Sequence, residues 1–152
     1  MTYADFLQLL EEKGKPTERK VVEILKKYDN ETYQVEGYDP GKDIVCPLIR
    51  RSFEVKSQVD AIACVSVEVA DDRNGRHKES GISTTTATHW VYFCKDQYFF
   101  ISTTKLKELV EDKEIKKFHL FEAEVSMKIL NIERELRPNC NVIFNEQLER
   151  IK

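Results

Sequence analysis

Apolar residues recur at helical spacing at the start of the chain, where Tyr3, Phe6, Leu7, Leu9 and Leu10 predict an amphipathic helix over residues 2–13, ended by Gly14 and Pro16. Pro16-Thr17 opens a second helix, with Thr17 as its N-cap and Val21, Val22, Ile24, Leu25 and Tyr28 on its inner face. The pattern then changes to alternation. Tyr33, Val35 and Tyr38 mark a strand between Asn30 and Gly37, and Asp39-Pro40-Gly41 reads as a turn. Residues 43–46 form a strand that returns through Pro47 and Arg50-Arg51 into a second strand over Ser52 to Gln58. Ala63 to Val69 alternates again, with Cys64, Ser66 and Glu68 on one face and valines on the other. Asp71 to Ser80 is a polar loop around Asn74-Gly75.

Downstream, His89–Cys94 and Gln97–Ile101 are apolar strands joined by Lys95-Asp96, a short hairpin signal. Their aromatics, Trp90, Tyr92, Phe99 and Phe100, belong to a packed interior rather than to a base-stacking platform. Thr103 or Thr104 caps a helix carrying Leu106, Leu109 and Val110. Strand-like pieces follow at 118–121 and 125–132, with a turn at Pro138-Asn139. This order predicts a single α/β domain spanning 1–152, with a central mixed β-sheet flanked by helices.

Composition narrows the class. A chain of 152 residues with 41% hydrophobic and 34% charged residues can bury one core without staples. It shows no apolar run of membrane length, and Met1-Thr2-Tyr3-Ala4-Asp5 lacks the features of a signal peptide, so a cytoplasmic protein is expected, or one of the host-cell cytoplasm if the source is viral. Cys46, Cys64, Cys94 and Cys140 are too dispersed for a zinc site, and no disulfide is expected. The net charge of −3 argues against tight, nonspecific binding of a polyanion by a monomer.

One stretch carries chemistry. In Ser52-Phe53-Glu54-Val55-Lys56-Ser57-Gln58, alternation sends Phe53 and Val55 to a core and puts Glu54 and Lys56 together on the opposite face. A symmetric hairpin places Asp43 opposite Glu54, so that two carboxylates and one ammonium converge. Adjacent carboxylates repel unless a cation lies between them, and hard divalent ions choose oxygen ligands.

Asp43, Glu54 and Lys56 in this order resemble the signature of the PD-(D/E)xK nuclease superfamily. The strand ending in Val65-Ser66-Val67-Glu68, then Ser80-Gly81-Ile82-Ser83-Thr84-Thr85-Thr86-Ala87 and Trp90-Val91-Tyr92, is similar to the pattern of its small phage-type and resolvase-like members. The resemblance covers residues 40 to 110 and departs in two places: no proline precedes Asp43, and Thr88-His89 precedes Trp90 where an acidic residue is expected. It implies a restriction-endonuclease-like fold and a deoxyribonuclease using Mg²⁺, with Mn²⁺ able to substitute. Asp43 and Glu54 would then be the metal ligands, the Val55 carbonyl a further one, and Lys56 the group on the attacking water.

Such nucleases carry a glutamate on the helix before the hairpin. Glu18 and Glu23 are the candidates, and Glu23 is taken as accessory, with Gln58 and Glu68. Glu68 has three roles open: holding a second cation, pairing with Lys56, or pointing to water. Between Asp39 and Asp43, Asp43 is preferred because a proline-glycine turn already explains Asp39. DNA is the expected partner. Arg73, Arg76 and Lys78 in the polar loop, with Ser80, Thr84 and Thr85 after it, are candidates for phosphate contacts. Cutting both strands of a duplex needs two copies of so small a domain, which leaves a homodimer open. The alternative is a nuclease-like fold retained as a DNA-binding or protein-interaction module with weak or no hydrolysis.

Overall fold

In the computed structural model, which describes residues 2–36, 41–58, 61–73, 76–120 and 123–145, with the backbone alone at 3, 4, 6–13, 73 and 120, one helix replaces the two that Gly14 and Pro16 predict. This helix, α1 (Tyr3–Leu25), starts at a capping box: Thr2 accepts the Asp5 N–H at 3.2 Å and Asp5 accepts the Thr2 N–H at 3.0 Å. Pro16 lies inside it, at the loss of one main-chain hydrogen bond and a cost of ~3 kcal/mol. The apolar stripe of the following turns holds the helix on course, because Val21, Ile24 and Leu25 are buried against a sheet. Thr17 is therefore an interior helical residue rather than an N-cap, and its hydroxyl reaches Ser57 at 3.3 Å. Tyr28, expected on the inner face, lies past the helix end and is 70% exposed.

The strands are β1 (Tyr33–Gln34), β2 (Ile44–Cys46), β3 (Arg51–Ser57), β4 (Cys64–Arg73), β5 (Arg76–Glu79), β6 (His89–Cys94), β7 (Gln97–Ser102), β8 (Lys116–Leu120), β9 (Ala123–Asn131) and β10 (Asn141–Phe144). They form a six-stranded sheet ordered β1-β2-β3-β6-β7-β10 and a four-stranded sheet ordered β5-β4-β9-β8. The first is mixed: β3 and β6 run parallel and its other pairs are antiparallel. Helix α2 (Thr103–Val110) follows β7, and its N-cap is Ser102, which accepts the Lys105 N–H, rather than Thr103 or Thr104.

The result is a mixed α/β fold of two sheets and few helices. The expected central mixed sheet is present; helix α1 covers one of its faces, and the second sheet together with α2 covers the other. There Val21, Ile24 and Leu25 of α1 meet Ile44, Cys46, Phe53, Val55, Val91 and Tyr98. Against the other face, Trp90, Tyr92, Phe99 and Ile101 pack with Val65, Val67 and Leu130 of the second sheet and with Leu106 and Val110 of α2. Strands β6 and β7 are thus buried on both sides, which explains their near-continuous apolar sequence.

Of the polar segment 71–80, expected as a loop, residues 71–73 end β4 and 76–79 form β5, while 74 and 75 lie outside the described residues. Arg73 pairs with Arg76, leaving Asn74-Gly75 between two strands, and Asn-Gly flanked in this way is a hairpin signal in its own right. The strand expected from Asn30 shortens to Tyr33–Gln34. Residues 37–40, including Tyr38 and the turn expected at Asp39-Pro40, lie outside the described residues. Among the described residues no helix is long and apolar enough to cross a membrane.

Candidate active site

The β2–β3 hairpin sets the site. Ile44 pairs with Phe53 at the end of the ladder, and Asp43, one residue earlier, lies close enough to Glu54 for that charge to act on its carboxyl. Three main-chain contacts fix Asp43 there. Its N–H donates to the Phe53 carbonyl at 2.8 Å, its carbonyl accepts the Val35 N–H at 2.8 Å, and its carboxylate Oδ2 accepts the Val55 N–H at 2.7 Å. Because the N–H and C=O of a strand residue leave the same edge, the Val55 carbonyl also emerges on the Asp43 side.

Alternation delivers the remaining groups. Phe53 and Val55 enter the α1-side core, and Glu54 and Lys56 share the other face, where their charged atoms stand 3.3 Å apart. Parallel pairing sets Glu54 beside Trp90 and Lys56 beside Tyr92, and the Lys56 ammonium lies 5.6 Å from the centroid of the Trp90 ring. The Glu54 side chain is 13% exposed and that of Lys56 is 39% exposed, so the carboxylate side chain is the more enclosed of the two.

The electrostatics follow from this enclosure. Burial first, and then the Glu54 charge, push the Asp43 carboxyl up to about 7, against the opposing Val55 N–H; Glu18 adds to the rise. Lys56 behaves in the opposite sense. Desolvation lowers its pKa, but the charges of Glu54, Glu68 and Asp43 reverse that and leave it above the ordinary lysine value.

No family model, curated protein or solved structure matches this chain. The site must be judged on its own groups. Among the described residues no three His, Cys, Asp or Glu side chains form a group able to hold a metal ion. The donors at the hairpin are two carboxylates and a main-chain carbonyl, hard oxygens of the kind that Mg²⁺ and Mn²⁺ select. A carboxyl held near neutrality by burial first and then by a neighbouring carboxylate is a place where a cation relieves repulsion, so these residues fit a divalent ion.

The accessory residues sort differently from the sequence expectation. Glu23 is exposed and sits near Tyr98, whose phenol is raised first by burial and then by the Glu23 charge. Glu18 instead lies by Asp43. It is 8% exposed, accepts from the Gln34 amide at 2.7 Å and stands 3.4 Å from Lys15. The signal was in the helical period: Glu18 is three residues before Val21 and seven before Leu25, on the buried stripe, whereas Glu23 is off it.

The Gln58 side-chain amide, expected as accessory to the site, bonds Ser66. Its Nε2 donates to the Ser66 carbonyl and hydroxyl at 3.1 and 3.2 Å, and its Oε1 accepts the Ser66 N–H at 3.1 Å. It stitches the end of β3 to β4. Glu68, by contrast, is close enough for its charge to raise the Lys56 pKa, which favours pairing among its three roles. Its position depends on Gly81, at φ +56°, where an added Cβ would stand 2.3 Å from the Glu68 carbonyl oxygen.

The groups expected to contact phosphates divide. Thr85 donates its hydroxyl to the Gly41 carbonyl at 3.2 Å, and Thr86 N–H reaches the same carbonyl at 3.3 Å, so this segment braces the chain just before Asp43. The Ser80 hydroxyl is buried, which removes it from any surface; Thr84 is exposed. Arg76 and Lys78 are exposed on edge strand β5, with Lys78 opposite Asp71. Arg73 ends β4, with its side chain outside the described atoms. Asp39, the rival to Asp43, lies outside the described residues.

Proposed function

We propose that this protein is a metal-dependent deoxyribonuclease that hydrolyses phosphodiester bonds, built on a variant of the restriction-endonuclease-like plan in which a second sheet joins a helix in one of the covering layers. The observation that carries this is the proximity of Asp43 and Glu54 at the open end of one hairpin, with Lys56 on the Glu54 face. Asp43, Glu54 and the Val55 carbonyl would hold Mg²⁺ or Mn²⁺. When bound, the ion supplies positive charge against the scissile phosphate and acidifies a water molecule.

The chain's own groups set the rest. The Val55 N–H orients the Asp43 carboxylate, and Glu18 adds negative charge behind it. Lys56, with its pKa above the ordinary value, keeps its proton at neutral pH and so serves as a cation and hydrogen-bond donor, not as a base. Its role is to orient the attacking water and to stabilise charge gathering on the phosphoryl oxygens.

A second reading, a DNA-binding or protein-interaction module without hydrolysis, is favoured by the 3.3 Å Glu54–Lys56 ion pair, which partly neutralises the site without a metal. Incubation of the protein with labelled linear, circular, branched and single-stranded DNA, with Mg²⁺ or Mn²⁺ and with EDTA, separates the two. Hydrolysis should require the metal and be abolished in Asp43→Ala and Glu54→Ala with the circular dichroism spectrum retained. Full turnover in either variant, or none in the wild type with either metal, would overturn the proposal.

A further inference from the structure

The tip of the same hairpin has a composition that the carboxylate site does not explain. Leu48 is 61% exposed and Ile49 36% exposed, while Arg50 and Arg51 beside them are also exposed. The turn is rigid. Asp29, itself 2% exposed, accepts the N–H groups of Leu48 and Ile49 at 2.8 and 3.3 Å through Oδ2 and that of Glu31 at 2.9 Å through Oδ1. This joins the tip to the segment after α1, where Lys26, Lys27 and Tyr28 are exposed. The two joined segments, 26–31 and 47–51, thus carry four exposed cations and one exposed acid, Glu31, in a chain whose net charge is −3.

Exposed aliphatic side chains held on a fixed turn gain free energy only when an apolar surface covers them. Beside clustered cations, that surface belongs to a polyanion. In a continuous duplex the base faces are stacked on one another, and opening a step costs on the order of a few kcal/mol; at a branch, gap or end they are already open, and an aliphatic wedge can pack on them without that cost. Glu54 is three residues along β3 from Arg51, roughly 10 Å, or about three nucleotide steps.

We infer that this tip is a DNA-docking element selective for DNA with exposed base faces, with Arg50 and Arg51 on phosphates and Leu48 and Ile49 packed on unstacked bases. The inference rests on the nuclease proposal for its choice of DNA, and it names the substrate class as branched, gapped or ended DNA.

The test is fluorescence anisotropy with the full chain in EDTA, using an intact duplex and a three-way junction of the same arms, alongside vesicles containing anionic lipid. The wild type should prefer the junction. L48S/I49S should lower that preference roughly tenfold or more while leaving duplex affinity unchanged. R50Q/R51Q should weaken binding to both DNAs and reduce the slope of log affinity on log salt by roughly two. If the double serine variant loses its fold by circular dichroism, L48S alone, at the more exposed position, carries the comparison. Equal binding of both DNAs by the wild type, an unchanged preference in the serine variants, or binding of vesicles and not DNA would overturn the inference. Cleavage in Mn²⁺ is read separately. Selective binding altered by both variants without cleavage supports the docking element and removes hydrolysis, whereas cleavage with a preference unmoved by the serine variants removes the docking element alone.

Discussion

Asp43 stands close to Glu54 at the open end of the β2–β3 hairpin, and burial together with the Glu54 charge holds the Asp43 carboxyl up at about 7 against an ordinary value of 3.8. Between those two pH values the folded protein keeps a proton that the unfolded chain has lost. Stability from this group is therefore complete below about pH 4 and is lost as the pH rises through 7. Metal-free protein should melt at a lower temperature at pH 8 than at pH 5.5 on this account. Asp43→Asn should flatten that part of the profile and raise the melting temperature at pH 8. Thermal unfolding in EDTA across the range checks this, and identical wild-type and variant profiles would remove Asp43 as the cause.

The same proton governs metal binding. A cation at the pair must displace it below pH 7, so affinity for Mn²⁺ should rise by up to about tenfold per pH unit in that range and level off above it. Isothermal titration in buffers of different ionisation heats should register proton release at pH 6 and little at pH 8.5. Release that does not vary with pH would assign the proton elsewhere.

Lys56 is no ligand in the proposed site, and its proposed work is on the attacking water and the transition state. Lys56→Ala should lower turnover on the order of 10²–10³-fold while Mn²⁺ affinity holds or rises, because a competing cation beside Glu54 is gone. Recovery of turnover at saturating metal would make Lys56 an electrostatic support instead.

Glu18 and Glu23 offer a paired comparison on one helix. Removing the Glu18 charge should lower the Asp43 pKa and move the pH dependence of Mn²⁺ binding toward acid, since that charge contributes to the rise. Glu18→Gln keeps an acceptor for Gln34 and so isolates charge from packing. Glu23→Gln should leave the profile in place, and an equal shift in both variants would show a long-range charge effect with no special position for Glu18.

Gly81 is the position where space and dihedral angle coincide. A side chain there would require left-handed backbone and would meet the Glu68 carbonyl, so Gly81→Ala should cost at least about 2 kcal/mol in urea unfolding. In folded protein, Glu68 displaced by the new Cβ should also lower the Lys56 pKa, which a lysine side-chain NMR titration reads directly.

The sequence by itself determined whatever follows from period and local chemistry. Alternation in Phe53-Glu54-Val55-Lys56 settled which pair enters the core, and the short connection through Pro47 to Arg50 settled that Asp43 meets Glu54. The apolar runs at 89–94 and 97–101 likewise announced doubly buried strands, and Lys95-Asp96 announced their hairpin. Tertiary structure decided everything that depends on what an element packs against. Pro16 is a helix breaker by its own chemistry, yet burial of Val21, Ile24 and Leu25 on the sheet outweighs it. The second sheet joins α2 over the far face because β4 and β9 find each other across more than fifty residues, a pairing that no local signal specifies. Gln58 and Thr85 look equally suited to a ligand from their side chains alone. Their hydrogen bonds to Ser66 and Gly41 exist only because folding brings distant main-chain groups within reach, and it is that long-range satisfaction of polar groups that turns them into braces of the Asp43–Glu54 site.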